Sequence, residues 1–516
     1  MTNQYCVFLY IKDFQLNGND RYFLLMDNKF IEVDASYLTK LNCYLITHDY
    51  SIIIDSIYKK ASSLPKNVID ISDFKKFLLQ QKISAANKDQ IKIKEIIKSE
   101  YDNNDDLRNY FEIYYRKKDY NEDTYMFFSH KLLNKFEYLL NEAENTGEKD
   151  RYFDVEIPCY NQLCRHLVTG IKIDIEKLKI HKSELNITYY KKLKAFAEKF
   201  NFMYEMPSDK DLKEYVLSKG YQFENESLDY ILDFLPMQDD FGKMVRDLQK
   251  TNITRNVLLG IPHSRNSITP SIDLNGSVTS RIYLKSPGLQ NIAKKYRDIF
   301  IASAGQTLSY VDYDQFEIGI MAHYSDDPNL INMYDGYDIY EVFSSDVFGT
   351  SEKRKIAKRI FLSFIYGMSL NNLNKAVFEN GGDVEKSRVF FAQFSKLEEW
   401  RKHVANQFLE NGKIGTLMGN YLKRDHQKDL DSNERRSCVS QVVQGTGSLI
   451  FKKALIELSK NKDIKIVLPM HDAVLVQHPK EFDTQILICT FTEVMKETLA
   501  NDKLKPKASL SSFFAD

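Results

Sequence analysis

The chain has 516 residues and a formal net charge of −1, with 71 Lys and Arg against 72 Asp and Glu. That length asks for more than one domain. The charge balance excludes a protein coated in positive charge, so a polyanionic partner must be met by local clusters whose reach in salt is about 8–10 Å. Six scattered Cys without a CxxC pair give neither a disulfide framework nor a zinc site. No apolar run approaches the roughly 20 residues that span a membrane. With no signal peptide in view, the expectation is a reducing cytoplasm.

Residues 1 to about 145 read as a first unit. YCVFLYI, RYFLLMD and CYLITHD are strand-like. Helix-like stretches follow near 72–100 and 124–143, and EYDNNDDLRNY between them reads as a polar loop. The polar run NEAENTGEKDR (141–151) is the candidate domain boundary. From about 150 to 270 the pattern is mostly helical, with apolar residues at three- and four-residue spacing in EKLKIHKSELNITYYKKLKAFAEKF. Basic clusters stand at Lys294, Lys295 and Arg297, at Lys353 to Arg359, and at Lys423 and Arg424. Each alone is an ordinary solvated face.

Three segments carry chemistry. In 308–327, Leu308, Tyr310 and Val311 predict a buried strand that ends at Asp312; polar Asp314 and Gln315 follow, then an apolar helical run. In 354–369, Arg354, Lys358, Leu362 and Tyr366 are four residues apart. On a helix they form one stripe about 18 Å long, passing from cations to an aromatic ring. Such a stripe suits a triphosphate at one end and a flat base at the other, although a plain amphipathic helix also has this spacing. Gly367 is the expected helix stop. In 465–477, two β-rich runs flank Met470, His471 and Asp472, which predicts a hairpin with a carboxylate at its tip. A lone Asp at a strand end is usually a turn former. Two such residues beside a phosphate-suited helix can instead hold two Mg²⁺ ions about 3.5–4 Å apart for in-line phosphoryl transfer.

These segments resemble motifs A, B and C of the family A DNA polymerases: DYDQFE (312–317), RKIAKRIFLSFIYG (354–367) and HD (471–472). TSR with SPGLQNI (279–292), QGTGSLI (444–450) and EIPCYNQLCRHLVTGIKIDIEKL (156–178) resemble further family stretches, in the family order. The resemblance covers about 150 to the C-terminus and is of the bacterial polymerase I type. It implies a multidomain α+β and α/β chain, a right hand of palm, fingers and thumb preceded by an exonuclease-like α/β domain. The implied boundaries are 1–145 for a degenerate 3′–5′ exonuclease-like domain, 150–270 for the thumb and connecting helices, 270–326 and 426–516 for the palm, and 327–425 for the fingers.

The resemblance implies template-directed addition of dNTPs to a primer 3′-hydroxyl. Asp312 and Asp472, with the Tyr313 carbonyl, are the implied ligands of two Mg²⁺ ions, for which Mn²⁺ is a substitute. Lys358 is implied in catalysis and, with Arg354, in holding the triphosphate. Leu362, Tyr366, Gln315, Glu317 and His471 complete the nucleotide site, Glu317 as the gate against a ribose 2′-hydroxyl. Thr279, Arg281, Gln290, Asn291 and Gln444 are the implied contacts to primer–template DNA.

The exonuclease chemistry is expected to be missing. A metal-binding DxE pair is replaced by Asp13 and Gln15 in YIKDFQ, and Asp49 and Asp55 are stray acids. Leu362 stands where an aromatic is usual, Ser280 in place of Gly, Ala473 in place of an acid after HD, Ser440 in place of Asn, and Tyr340 in place of a frequent His. With no 5′-nuclease stretch, a phage or plasmid replicative enzyme without proofreading is expected, in the host cytoplasm if viral, with no membrane partner. The competing readings are a single-subunit RNA polymerase, opposed by Glu317 and the Gln290–Asn291 pair, and a non-catalytic primer–template binding protein, opposed by Asp312, Asp472, Lys358 and Arg354.

Overall fold

The computed structural model describes residues 5–14, 19–26, 29–79, 92–101, 104–218, 240–424 and 428–515. Five strands form the N-terminal sheet: β1 (Tyr5–Ile11), β2 (Arg21–Met26), β3 (Lys29–Val33), β4 (Tyr44–Thr47) and β5 (Val68–Asp70). Their order is β3-β2-β1-β4-β5, with β1, β4 and β5 parallel and β2 and β3 antiparallel. β1 lies in the middle, and its apolar run from Val7 to Ile11 is buried. Continuous hydrophobic strands of this kind need cover on both faces.

Helices supply that cover. The helix Glu122–Thr146 is capped by the Asn121 side chain, which accepts from Thr124 N–H, and it stops at Gly147 with φ 75°. This agrees with the expected helix at 124–143. Between 71 and 100, the described residues hold helices at Ile71–Leu78 and Ile93–Ile97; residues 80–91 lie outside the described part. The polar stretch expected as a loop is instead largely a helix, Asn104–Tyr114. Leu107, Tyr110, Phe111 and Tyr114 recur at three and four residues and are buried, so one apolar stripe outweighs the polar composition. The candidate boundary at 141–151 falls on helical residues. It is helical to Thr146, and Lys149–Arg151 leads through a π turn (Tyr152–Glu156) into the helix Ile157–Leu167.

Further on, the long helices Ile175–Phe200 and Asp240–Leu259 pair side by side. Their flanking contacts, Lys199 to Asp240, Lys192 to Asp247 and Asn186 to Arg255, run in opposite order, so the helices are antiparallel. Tyr189, Leu193, Phe196, Phe241, Val245 and Leu248 give them a core of their own. Two short pairings follow: β6 (Ile171–Lys172) with β7 (Ser267–Ile268), and β8 (Ser271–Asp273) with β9 (Tyr283–Lys285).

The second main sheet brings distant segments together. β10 (Gln306–Tyr313) lies between β14 (Ala473–Pro479) and β15 (Ala508–Leu510), and β13 (Lys465–Met470) closes the other edge, all antiparallel. A small hairpin, β11 (Lys413–Thr416) and β12 (Gly419–Lys423), sits among the helices between β10 and β13 in the chain. Side chains alternate across the second sheet. Val311, Tyr313, Val474 and Val476 join the large core that runs through the helices from Phe316 to Leu458. Tyr310, Ala473 and Leu475 face a separate core built with Leu167, Leu258 and Phe300. The sheet is thus held between two cores, which leaves its strand ends as the place for polar groups. Among the described residues, no helix is long and apolar enough to cross a membrane.

Candidate active site

The strand end at Asp312 is built by pairing. Asp312 lies opposite Ala473 in register, and Tyr313 N–H donates to the Asp472 carbonyl at 3.4 Å. Asp472 occupies the tight turn between β13 and β14, where His471 takes φ 41°. The two residues that the sequence places 160 positions apart therefore sit at one end of the sheet. Burial, then the charge of Asp472, then Asp314 push the Asp312 carboxyl up to about 7, against the opposing pull of Lys358 and the Tyr313 N–H. Its Oδ1 is buried and has no hydrogen-bond partner. A buried acceptor with no donor costs about 1–3 kcal/mol, more when charged. An unsatisfied buried oxygen beside a second acid suits a divalent cation held by Asp312 and Asp472.

The helix Arg354–Ile365 begins after a short 3₁₀ turn, and Gly367 follows it at φ 88°, as the expected stop requires. Its buried side is Ala357, Ile360, Phe361, Phe364 and Ile365; Lys358 is exposed and Leu362 half-buried on the other side. Arg354 is already engaged: its guanidinium pairs with Asp338 and lies 3.8 Å from Glu341. Tyr340 is buried, with Arg354 and Lys358 each 5.4 Å from its ring centre. One ring therefore serves as the platform for both cations.

Glu317 lies in the first turn of the helix Phe316–Ser325 and accepts from Arg281 Nη2 at 3.2 Å. Burial raises its carboxyl pKa, and Arg281 opposes that rise. The Tyr366 hydroxyl lies near Glu317 and Gln444 but makes no hydrogen bond of normal geometry, and burial is the main cause of its raised pKa. Burial, then Arg281, hold His471 below its ordinary value, with Asp472 opposing.

Three expected contacts turn inward. The Gln290 amide accepts from Leu284 N–H at 3.0 Å and donates to the carbonyls of Ile282 (3.0 Å) and Pro469 (2.7 Å). It braces β9 against β13, and its hydrogen-bonding groups are used within the protein. Thr279 is buried, its hydroxyl 3.1 Å from that of Ser277. Gln315 takes φ 50°, accepts from Ile339 N–H at 3.2 Å and donates to the Tyr337 carbonyl at 3.3 Å. Asn291 is exposed, and its carbonyl accepts from the Thr254 hydroxyl at 3.4 Å. Gln444 is half-buried on the helix Ser432–Leu458.

The model for "DNA polymerase family A" matches residues 166–511. The chain belongs to this family. Among curated relatives, DNA polymerase I of Bacillus subtilis is 27% identical over 417 residues, which is 71% of this chain and 46% of that protein. DNA polymerase I of Caldicellulosiruptor bescii is 25% identical over 370 residues, 64% of this chain and 43% of that one. DNA polymerase theta of Caenorhabditis elegans is 31% identical over 216 residues, 39% of this chain and 13% of that one. The chain spans about half the length of the polymerase I relatives it matches. A solved structure, "POL domain of Pol1 from M. smegmatis complex with DNA primer-template and dNTP", shares the fold with a TM-score of 0.72 at 17% identity, over 98% of this chain and 94% of that one.

In this family A chain, some site neighbours had no signal in the motifs. Asp338, which holds Arg354, has the sequence look of a helix N-cap, and it does cap Ile339–Phe348. Glu156 and Lys452 form a buried pair at 2.7 Å, joined by Arg151 at 2.7 Å from Glu156. Glu156 opens the family-like stretch 156–178, but nothing there points to its partner, and Lys452 stands beside a second lysine, Lys453, as a surface residue would.

Proposed function

We propose that the chain is a template-directed DNA polymerase that joins dNTPs to a primer 3′-hydroxyl. The observation that carries this reading is the meeting of Asp312 and Asp472 at one end of the second sheet, with Lys358 close enough to act on Asp312 electrostatically. In the proposed division, residues 270–326 and 426–516 act as palm, 327–425 as fingers and 150–270 as thumb.

Asp312, Asp472 and the Tyr313 carbonyl would hold two Mg²⁺ ions, or Mn²⁺ in their place. When bound, these supply charge neutralisation and lower the pKa of the attacking hydroxyl. The protein's own residues do the rest. Lys358 brings a point charge to the triphosphate and a proton for the departing pyrophosphate, while Arg354 brings a planar fork. Because Arg354 already binds Asp338, triphosphate capture competes with that ion pair. Glu317, held by Arg281, occupies the space of a ribose 2′-hydroxyl. Leu362 and Tyr366 line the nucleotide side, and His471, Arg281, Asn291 and Gln444 meet the primer–template, with Gln290 and Thr279 as braces.

For residues 1–145 we propose an exonuclease-like domain without proofreading chemistry. The strand order β3-β2-β1-β4-β5 supports the architecture. Asp13 lies just past β1, where its Oδ2 accepts from Asn19 N–H at 3.1 Å; Gln15 lies outside the described residues. Asp49 pairs with His48 at 3.2 Å, and Asp55 sits exposed beside Lys59 at 3.1 Å. The proposed setting is phage or plasmid replication in a reducing cytoplasm, a compartment that suits the six free thiols.

Primer extension on a long template with Mg²⁺ tests the proposal. Extension with dNTPs but not rNTPs, abolished in Asp472→Ala, is expected. Extension that survives Asp472→Ala would end it.

A further inference from the structure

Ser280 holds a backbone conformation that a side chain disfavours. Its φ is 60°, in the left-handed region, and it is 2% exposed. A residue with a Cβ is disfavoured in that region, and glycine is not. The family pattern places Gly here, so the hydroxyl must be weighed against the strain. Its Oγ accepts from Arg151 Nη1 at 3.0 Å, its carbonyl accepts from the Ser448 hydroxyl at 2.5 Å, and its N–H donates to the Ser277 carbonyl at 3.0 Å.

The next residue is Arg281. Its N–H donates to Ser277 Oγ at 3.2 Å, its carbonyl accepts from Gly276 N–H at 3.0 Å, and its guanidinium reaches Glu317 at 3.2 Å. The far end of this chain of contacts is equally constrained. Arg151 is 3% exposed. It donates to Glu148 at 2.9 Å and Glu156 at 2.7 Å, and it lies 4.4 Å over the Phe77 ring. Glu156 in turn accepts from Lys452 at 2.7 Å. A buried cation fixed by two carboxylates makes a rigid donor. Phe77 belongs to the helix Ile71–Leu78, which follows β5 of the N-terminal sheet.

We infer that Ser280 and Arg151 are positioning residues that hold Arg281 against Glu317, linking the N-terminal sheet to sugar selection; this rests on the polymerase reading above. The bond between Arg151 and Ser280 sets the path of the loop. That path fixes where the Arg281 guanidinium stands and how Glu317 is turned toward the incoming sugar. The hydroxyl is the one group at position 280 that glycine lacks and Arg151 reaches.

Ser280→Gly in the full chain is the test, because it removes the hydroxyl and the strain together. The melting temperature is expected to hold or rise. The preference for dNTP over rNTP is expected to fall about fivefold, with a similar rise in KM for primer–template and kcat within about twofold. In an Arg281→Ala background the same change should be silent. Arg151→Lys, which keeps the charge between Glu148 and Glu156 but loses the fork, should reproduce the selectivity loss. Wild-type selectivity and KM in Ser280→Gly, an undiminished effect in the Arg281→Ala background, or wild-type selectivity in Arg151→Lys would each overturn the inference. Wild-type extension that Asp472→Ala abolishes keeps the polymerase reading intact in those cases; absence of wild-type extension sinks both.

Discussion

Both main sheets present carboxylates at strand ends, and the two sheets treat them in opposite ways. At the end of β5, Asp70 is buried, and burial, then Asp73 and Asp49, push its pKa up to about 8. Yet both its oxygens are used: one accepts from Ser72 and Asp73 N–H, the other from Tyr50 N–H. Burial pushes the Asp49 carboxyl up, but His48, Lys76 and Lys92 together hold it below its ordinary value. At the end of β10, Asp312 keeps a buried oxygen with no donor and faces a second acid. A satisfied carboxylate caps a turn; an unsatisfied one next to a like charge is poised for a cation.

The largest expected effect separates the two sheets outright. Asp312→Ala should lower primer extension at least about 10³-fold, in line with losing a transition-state charge partner. Asp13→Asn, just past β1 of the N-terminal sheet, should leave it within about twofold. Equal losses from both changes, measured as single-turnover rates, would erase the distinction.

Lys358→Ala should lower kcat about 10²-fold with a smaller change in dNTP KM, since general acid–base help is typically of that size. A change confined to KM would reduce Lys358 to a binding charge.

The pH dependence sharpens the comparison without relying on activity. The folded Asp312 carboxyl keeps its proton up to about 7, above the ordinary carboxylate range. The folded state therefore binds a proton that the unfolded state has lost, and this stabilising contribution fades as pH rises through about 7. A divalent cation should replace it. The rise in melting temperature on adding Mg²⁺ should grow from about pH 6 to about pH 8, and Asp312→Asn should flatten it. A pH-independent Mg²⁺ shift in both proteins would contradict this assignment.

The smallest effect concerns Leu362. Restoring an aromatic ring over the nucleotide is worth on the order of 1 kcal/mol. Leu362→Phe should tighten dNTP binding about fivefold in pre-steady-state titrations and alter the response to dideoxynucleotides. Unchanged rate and affinity would show that the half-buried position does not meet the base.

Much of the site was legible because its signals are local. The strand ending near Asp312, the hairpin around Asp472 and the helix Arg354–Ile365 each follow from periodicity within about a dozen residues. The helix Asn104–Tyr114 departs from the loop its polar composition predicts, because the spacing of Leu107, Tyr110, Phe111 and Tyr114 buries one face. Gln290 and Gln315 illustrate a harder limit. An amide gives no sign in sequence of whether it faces a ligand or a neighbouring backbone.

By itself, the order of residues determined the elements, the family and which side chains are chemically able to act, since helix and strand patterns and motif spacing are short-range properties. Only the tertiary structure decided which of those side chains meet. The register of β10 with β14 sets Asp312 beside Asp472. Asp338 claims Arg354, and Arg151 reaches Ser280 across 129 positions. Such pairings depend on packing between segments far apart in the chain, where burial removes water as a competitor and a single well-placed partner sets the energy of each charge.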